Sequence, residues 1–238
     1  MAAAAHVFVD DLTRPELADE DRHHLERVLR LRPGEEVTAA DSAGGWRRFR
    51  YAGAGVLEAD GDLELRPAPG PLLTVGFAIT KGDRPEWTVQ KLTEAGVDRI
   101  VPFVATRTVV RWEGETGARH LDRLRSVARG AAMQSRRPWL PEVHEVVDFP
   151  TAAALAGAAG CLAQPGGEPP RLDRAAVLVG PEGGFTDVEL ACGLPKMDLG
   201  PTILRAESAA MAAGVLLSAL RAGLVAPRHD SFGQDHDR

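Results

Sequence analysis

The chain has 238 residues, of which 44% are apolar and 26% charged, the proportions of an ordinary soluble protein with one large domain or two small ones. No apolar run approaches the roughly 20 residues that span a bilayer, and Met1–Ala5 lacks the basic start and apolar core of a signal peptide, so a cytoplasmic protein without a membrane span is expected. The net charge of −6 argues against a uniformly basic surface, yet arginines gather at 22–32, 47–50, 107–111 and 119–137, and local basic surface is what meets phosphate.

In chain order, His6–Val9 reads as a short strand, and Ala18–Leu31 as a helix with Leu25, Val28 and Leu29 inward. Pro33-Gly34 stops that helix. Short strands follow at Glu35–Ala40, Trp46–Tyr51, Gly55–Leu57 and Leu63–Leu65, separated by glycine turns, which suggests a small β-barrel or meander. His23 and His24 have no Cys or carboxylate partners at ligand spacing, so no metal is expected. Pro67–Pro71 is a stiff linker and the best domain boundary.

Beyond it, the apolar strand Leu72–Ile79 ends in Thr80-Lys81-Gly82. A helix capped by Asp83, with Pro85 in its first turn, runs to Ala95. Gly96 ends it and Arg99–Val104 is the next strand, giving a βαβ unit with parallel pairing. Arg119–Ser135 is a long helix with Leu121, Leu124, Val127, Ala128 and Ala131 inward. Strand Val143–Val147, helix Phe149–Ala159 and strand Gly160–Ala163 follow, the last running into the loop Gln164–Gly167. Cys161 and Cys192 both read as buried thiols rather than a disulfide. The polar segment Pro227–Arg238 has no period and reads as a disordered tail.

The rest of the chain is organised around residues 175–220. Strand Ala175–Val179 ends abruptly in Gly180-Pro181-Glu182-Gly183-Gly184, and Thr186 with Glu189 opens a capping box. Met197–Leu199 runs into Gly200-Pro201, and Ile203–Ser208 leads into an apolar helix ending near Leu220. Two strand–loop–helix units form crevices at the carboxyl ends of a parallel sheet, where open α/β sheets bind ligands. Neither loop matches the G-x-G-x-x-G or P-loop pattern for nucleotide phosphates.

These residues also carry a resemblance. The run Gly180–Thr186, with Leu199-Gly200 and Ile203–Glu207 downstream, is similar to the RsmE family of ribosomal RNA uridine-N3 methyltransferases in the SPOUT superfamily. Lys81–Arg84, Gln134-Ser135-Arg136-Arg137 and the His24–Gly34 signature extend the similarity over nearly the whole chain. It implies a small PUA-like RNA-binding β-barrel domain over residues 1–68. An α/β SPOUT domain with a parallel sheet and a trefoil knot follows over 72–226, and the disordered tail over 227–238.

The resemblance further implies S-adenosylmethionine as cofactor, 16S ribosomal RNA of the small subunit as partner, and a homodimer. Cofactor contacts are then expected at Leu162, Gln164, Val179, Gly180, Glu182, Gly183, Leu199, Gly200, Ile203, Leu204 and Ala209. RNA contacts are expected at Arg27, Arg30, Arg32, Lys81, Arg84, Arg107, Arg111, Gln134 and Arg136. Arg205 would stabilise negative charge on the target base, and Glu207 would accept a proton or orient Arg205; an ordinary Arg–Glu pair at a helix start is the alternative. His6 and Met133 stand where the family usually has a basic and an acidic residue. Two other readings stay open: a fold that kept RNA binding and lost turnover, and an enzyme with another RNA target.

Overall fold

The structure, a computed structural model, describes residues 3–226; the tail expected to be disordered lies outside the described residues. The first lobe comprises β1 (Ala5–Phe8), α1 (Asp19–His23), β2 (Glu36–Ala40), β3 (Gly45–Gly53), β4 (Val56–Ala59) and β5 (Glu64–Leu65). β1 pairs parallel to β2, while β2, β3 and β4 form an antiparallel meander and β5 joins β3. Alternation along the strands puts Val7, Val37, Phe49 and Tyr51 into one core with Leu25.

The helix expected over Ala18–Leu31 is broken. After α1 the chain widens into a π-type turn, His24–Val28, in which the Leu29 N–H donates to the His24 carbonyl and the Leu31 N–H to Leu25. Only Leu25 is buried; Val28 and Leu29 are exposed. A widened turn shifts the angular phase of later residues, so the 3.6-residue spacing that pointed all three inward no longer holds.

The second lobe runs β6 (Thr74–Ala78), α2 (Arg84–Glu94), β7 (Arg99–Val104), α3 (Gly114–Gln134), β8 (Glu142–Val143), β9 (Val147–Asp148), α4 (Phe149–Ala156), β10 (Gly160–Glu168), β11 (Ala176–Val179), α5 (Asp187–Leu190), β12 (Lys196–Met197) and α6 (Ala206–Arg221). The sheet order is β12-β10-β11-β6-β7-β8, with β9 also on β7 and every pairing parallel. Parallel sheets require both faces covered. One face packs Val75, Val177 and Ile100 with Leu92, Leu124 and Leu217 of α2, α3 and α6. The other packs Phe103, Leu162 and Leu178 with Phe149 and Ala152 of α4. Buried on both sides, these strands read as apolar runs.

Several boundaries differ from expectation. Val143–Val147 is two short pieces, β8 and β9, both on β7. The helix from Phe149 stops at Ala156 because Gly157 takes φ +57°. Asp83 occupies the cap position of α2, but its side chain makes no capping bond. Cys161 is buried, and burial pushes its thiol up to about 12; Cys192 is exposed, contrary to its sequence reading.

The lobes meet along α3. Arg129 donates to both carboxylate oxygens of Asp21, at 2.6 and 2.8 Å, and to the Phe8 carbonyl at 3.2 Å, so this member of the basic stretch works inside the protein. His6, the departure from the family pattern, is 4% exposed. Its ring nitrogens bond Thr38 Oγ1 at 2.8 Å and the Arg137 carbonyl at 3.2 Å. Burial, aided by the Arg136 charge and opposed by the Arg137 bond, lowers its pKa to about 4. In the unfolded chain the ring protonates near 6.5. Between these values the unfolded state binds the extra proton, so stability present above pH 6.5 is lost as pH falls toward 4, by roughly 3 kcal/mol. Denaturant midpoints measured across that window are expected to fall with pH, and a His6→Gln variant to flatten the slope.

Candidate active site

Three neighbouring strands of the sheet, β10, β11 and β12, each lead the chain into a glycine-containing loop or arch. After β11 the chain turns through Gly180–Gly184, closed by the Gly184 N–H on the Pro181 carbonyl at 2.8 Å; Gly184 takes φ +70°, which favours glycine. Phe185 then anchors the loop by packing against Phe103 and Phe149. The expected capping box forms: Thr186 and Glu189 each accept from the other's backbone N–H. After Ala163 in β10 the chain arches over Gln164–Gly167 before regaining the pairing with β12 at Glu168. β12 gives way to Asp198-Leu199-Gly200, and Arg205 occupies the cap position of α6.

These segments enclose a cavity of about 430 Å3. Gln164, Val179, Gly180, Glu182, Leu199, Gly200, Ile203, Leu204 and Ala209 line it, as does Arg205. Two expected cofactor residues do not. Leu162 is fully buried in the core beneath the floor. Gly183 faces Arg107, whose stem would lie 3.4 Å from a methyl group added there. The sequence reading missed Ala163, Pro165, Pro181, Gly184, Phe185, Asp198, Thr202 and Ala206 on the wall. Most neighbour a named glycine or proline, so counting whole loops would have found them; Asp198 brings chemistry of its own.

Asp198 ties two of the loops together. Its Oδ2 accepts from the Gly166 N–H at 2.9 Å and its Oδ1 from the Gly200 N–H at 3.0 Å. Its own N–H donates to the Glu168 carbonyl at 2.8 Å. The Gly200 and Gly166 amides hold its carboxyl below the usual range. Gly167 lets β10 and β12 come this close: a methyl group there would lie 2.5 Å from the Lys196 carbonyl carbon. Gly167→Ala is therefore expected to force the two strands apart and to lower the unfolding free energy by about 1–3 kcal/mol, read by chemical denaturation.

The Gly180–Gly184 loop is braced from the neighbouring strand ends. Arg84, in the first turn of α2, donates to Glu182 at 2.7 Å and lies 3.9 Å from Glu207. Arg107, beyond β7, donates to the carbonyls of Gly183 and Phe185 at 2.7 and 3.2 Å. Glu189 accepts from the Thr106 N–H at 2.8 Å. No ion pair joins Glu207 to Arg205 among the described residues; the acid faces Arg84, which corrects the expectation that it orients Arg205. Glu207 Oε2 is buried and has no hydrogen-bond partner among the described residues, an arrangement that calls for an explanation in any folded protein.

The other residues expected to meet RNA lie apart from this cavity. Arg27, Arg30 and Arg32 are exposed on and after the widened turn of the first lobe. Lys81 and Arg111 are exposed beyond the ends of β6 and β7. Gln134 and Arg136 line a second cavity, of about 510 Å3, where the lobes meet, together with His24 and Leu29. Arg136 takes φ +57° and donates to the Ala3 carbonyl. Among the described residues no group of three or more His, Cys, Asp or Glu side chains is placed to hold a metal ion. No described helix is long and apolar enough to cross a membrane.

Comparison with known proteins agrees with this arrangement. Residues 67–218 match the model of an RNA methyltransferase domain, and residues 17–56 that of an RNA methyltransferase PUA domain. The ribosomal RNA small subunit methyltransferase E of Mycobacterium bovis is 35% identical, over 89% of this chain and 87% of its own. That of Synechocystis is 29% identical, over 83% of this chain and 70% of its own. A crystal structure of the Neisseria gonorrhoeae enzyme bound to S-adenosyl methionine superposes with a TM-score of 0.75 at 28% identity, covering 91% of this chain and 97% of that one. With the domain match spanning more than half of the chain and the mycobacterial similarity running nearly end to end, this chain belongs to the ribosomal RNA small subunit methyltransferase E family of RNA methyltransferases.

Proposed function

We propose that this protein transfers the methyl group of S-adenosylmethionine to N3 of a uridine in 16S ribosomal RNA of the small subunit. The observation that carries the reading is the cavity where the ends of β10, β11 and β12 converge on the start of α6. The residues present fit the cofactor. The volume is that of a small-molecule site, the walls are Val179, Leu199, Ile203 and Leu204, and two wall glycines, Gly184 and Gly200, face open space. Main-chain groups exposed by such glycines suit an adenosyl group, and Gln164 and Glu182 add polar contacts.

When bound, S-adenosylmethionine supplies a methyl group activated by its sulfonium. The chain's own contribution is placement, which in well-oriented reactions supplies about 7–11 kcal/mol. Uracil N3 carries a proton and lies on the pairing edge, so the target base enters unpaired. Arg205, on the cavity wall, stabilises the charge that develops on a uracil carbonyl oxygen as that proton leaves. Glu207, with its unpartnered oxygen, accepts the proton. Arg27, Arg30, Arg32, Gln134 and Arg136 hold the RNA on the first lobe and the junction, and Lys81 and Arg111 flank the site. Arg84 and Arg107 act through the glycine loop they brace.

We also infer a cytoplasmic homodimer. Ile203 at the rim is 85% exposed and Val215 on α6 is 48% exposed, apolar surface that a second copy would cover. Light scattering tests the mass. The activity is tested by incubating the protein with small subunits lacking the modification and labelled S-adenosylmethionine, then locating the methyl group by mass spectrometry. Label at N3 of one uridine in the 16S RNA supports the proposal. Cofactor binding without label favours the reading that turnover was lost, and label on another RNA favours the other target.

A further inference from the structure

Asp198 belongs to neither the glycine run nor the Ile203–Glu207 run, yet its carboxylate bonds backbone amides in two walls of the cavity. Loop 164–167 is an arch within β10, between its pairings with β12 at Ala163 and Glu168, and loop 198–200 follows β12. The Asp198 N–H on the Glu168 carbonyl and the close approach of Gly167 to Lys196 join their bases; farther out, Gly166 and Gly200 take φ of +75° and +142°, and a methyl group added to either would meet nothing within 4 Å. A carboxylate has two oxygens and accepts on both at once, so one side chain can hold an amide from each loop. The distances, 2.9 and 3.0 Å, are those of ordinary N–H···O bonds, here made to a charged acceptor.

We propose that Asp198 is a positioning residue for the cofactor: its carboxylate clamps the Gly166 and Gly200 amides, sets the spacing of the two loops, and thereby sets affinity for the adenosyl group, without contributing through its negative charge to the cationic sulfonium. This rests on the reading of the cavity as a S-adenosylmethionine site. It assigns the residue a geometric task that two alternatives do not share. A residue serving only stability would leave affinity in the folded protein unchanged. A residue attracting the sulfonium would favour S-adenosylmethionine over S-adenosylhomocysteine, which has the same adenosyl group and a neutral sulfur.

Asn has the shape of Asp but only one oxygen, and its amide nitrogen presents hydrogens to whichever backbone N–H it faces. Asp198→Asn is therefore expected to lose one of the two bonds and Asp198→Ala both. Calorimetric titration of the folded variants with each ligand is the test. Dissociation constants are expected to rise about tenfold for Asn and up to about a hundredfold for Ala, the scale of one and two such bonds. The rise should be equal for S-adenosylmethionine and S-adenosylhomocysteine. In turnover, KM for the cofactor should rise likewise while kcat at saturation stays close to that of the parent. Unchanged affinities would overturn the proposal, and so would a loss confined to S-adenosylmethionine. If the parent protein itself binds neither ligand, the reading of the cavity fails; if the parent binds and the variants bind equally well, only the role of Asp198 fails.

Discussion

Arg205→Met is expected to lower kcat for RNA methylation by about 10²–10³ while cofactor affinity changes little. Removing one preorganised donor from a site where charge develops has that scale, and Met keeps the length and much of the apolar stem. Arg205 lines the cavity and has no ion-pair partner among the described residues, so its charge is available to a ligand. Glu207→Gln is expected to lower kcat by about 10²–10⁴, the range for loss of a proton acceptor. Gln keeps size and shape, so packing at the start of α6 should hold. The control is Arg84→Met. If Glu207 merely balances Arg84, which lies 3.9 Å away, the two variants should lose activity equally and the double variant should lose no more. If Glu207 takes the proton, its loss exceeds that of Arg84→Met. Single-turnover rates with saturating cofactor separate these cases, and an Arg205→Met enzyme as fast as its parent would remove that residue from the chemistry.

The parts of the site visible in sequence are those whose chemistry is local. The Gly180–Gly184 loop announces itself because glycine and proline stop a strand wherever they stand, and the Thr186–Glu189 capping box involves residues three apart. The apolar runs of β6, β7 and β11 are legible because strands covered on both faces have no polar alternation. What escaped depends on residues far apart in the chain. Arg84 meets Glu182 across 98 residues, and Arg107 meets Gly183 across 76; a basic residue after a strand looks the same whether it faces RNA or a carbonyl. Asp198 reads as a polar residue in a turn until β10 and β12 are known to be neighbours. The widened turn at His24–Val28 was missed for another reason: propensity and period describe the regular helix, and a π-type turn, in which Leu25 stays buried, departs from that period.

A larger effect on stability is expected from Asp98, which lies outside the site. Its side chain is 9% exposed and stands between two guanidinium groups. Oδ1 takes Arg137 at 3.2 Å, and Oδ2 takes Arg221 and the Leu73 N–H, the latter at 2.9 Å. Arg137 also donates to the Thr93 and Val97 carbonyls, and Arg221 to Gly96 and Pro71. One carboxylate thus joins the start of β6, the end of α2, the segment after α3 and the end of α6. A buried ion pair is weak testimony for net stabilisation, because removing charges from water costs several kcal/mol per ion. Removing one partner is a different matter, since the others stay buried without compensation. Burial already lowers the pKa of Arg137, with Asp98 as the opposing influence. Asp98→Asn is therefore expected to destabilise by about 3–5 kcal/mol, which for a chain of this size lowers Tm by about 6–20 °C. Replacing all three residues, Asp98→Leu with Arg137→Met and Arg221→Met, should recover much of that loss, because no uncompensated charge is then buried. Calorimetry on the two variants decides it. A loss below about 1 kcal/mol in Asp98→Asn would mean that water reaches the arginines, and a triple variant as unstable as the single one would mean that the junction depends on the hydrogen bonds rather than on the balance of charge.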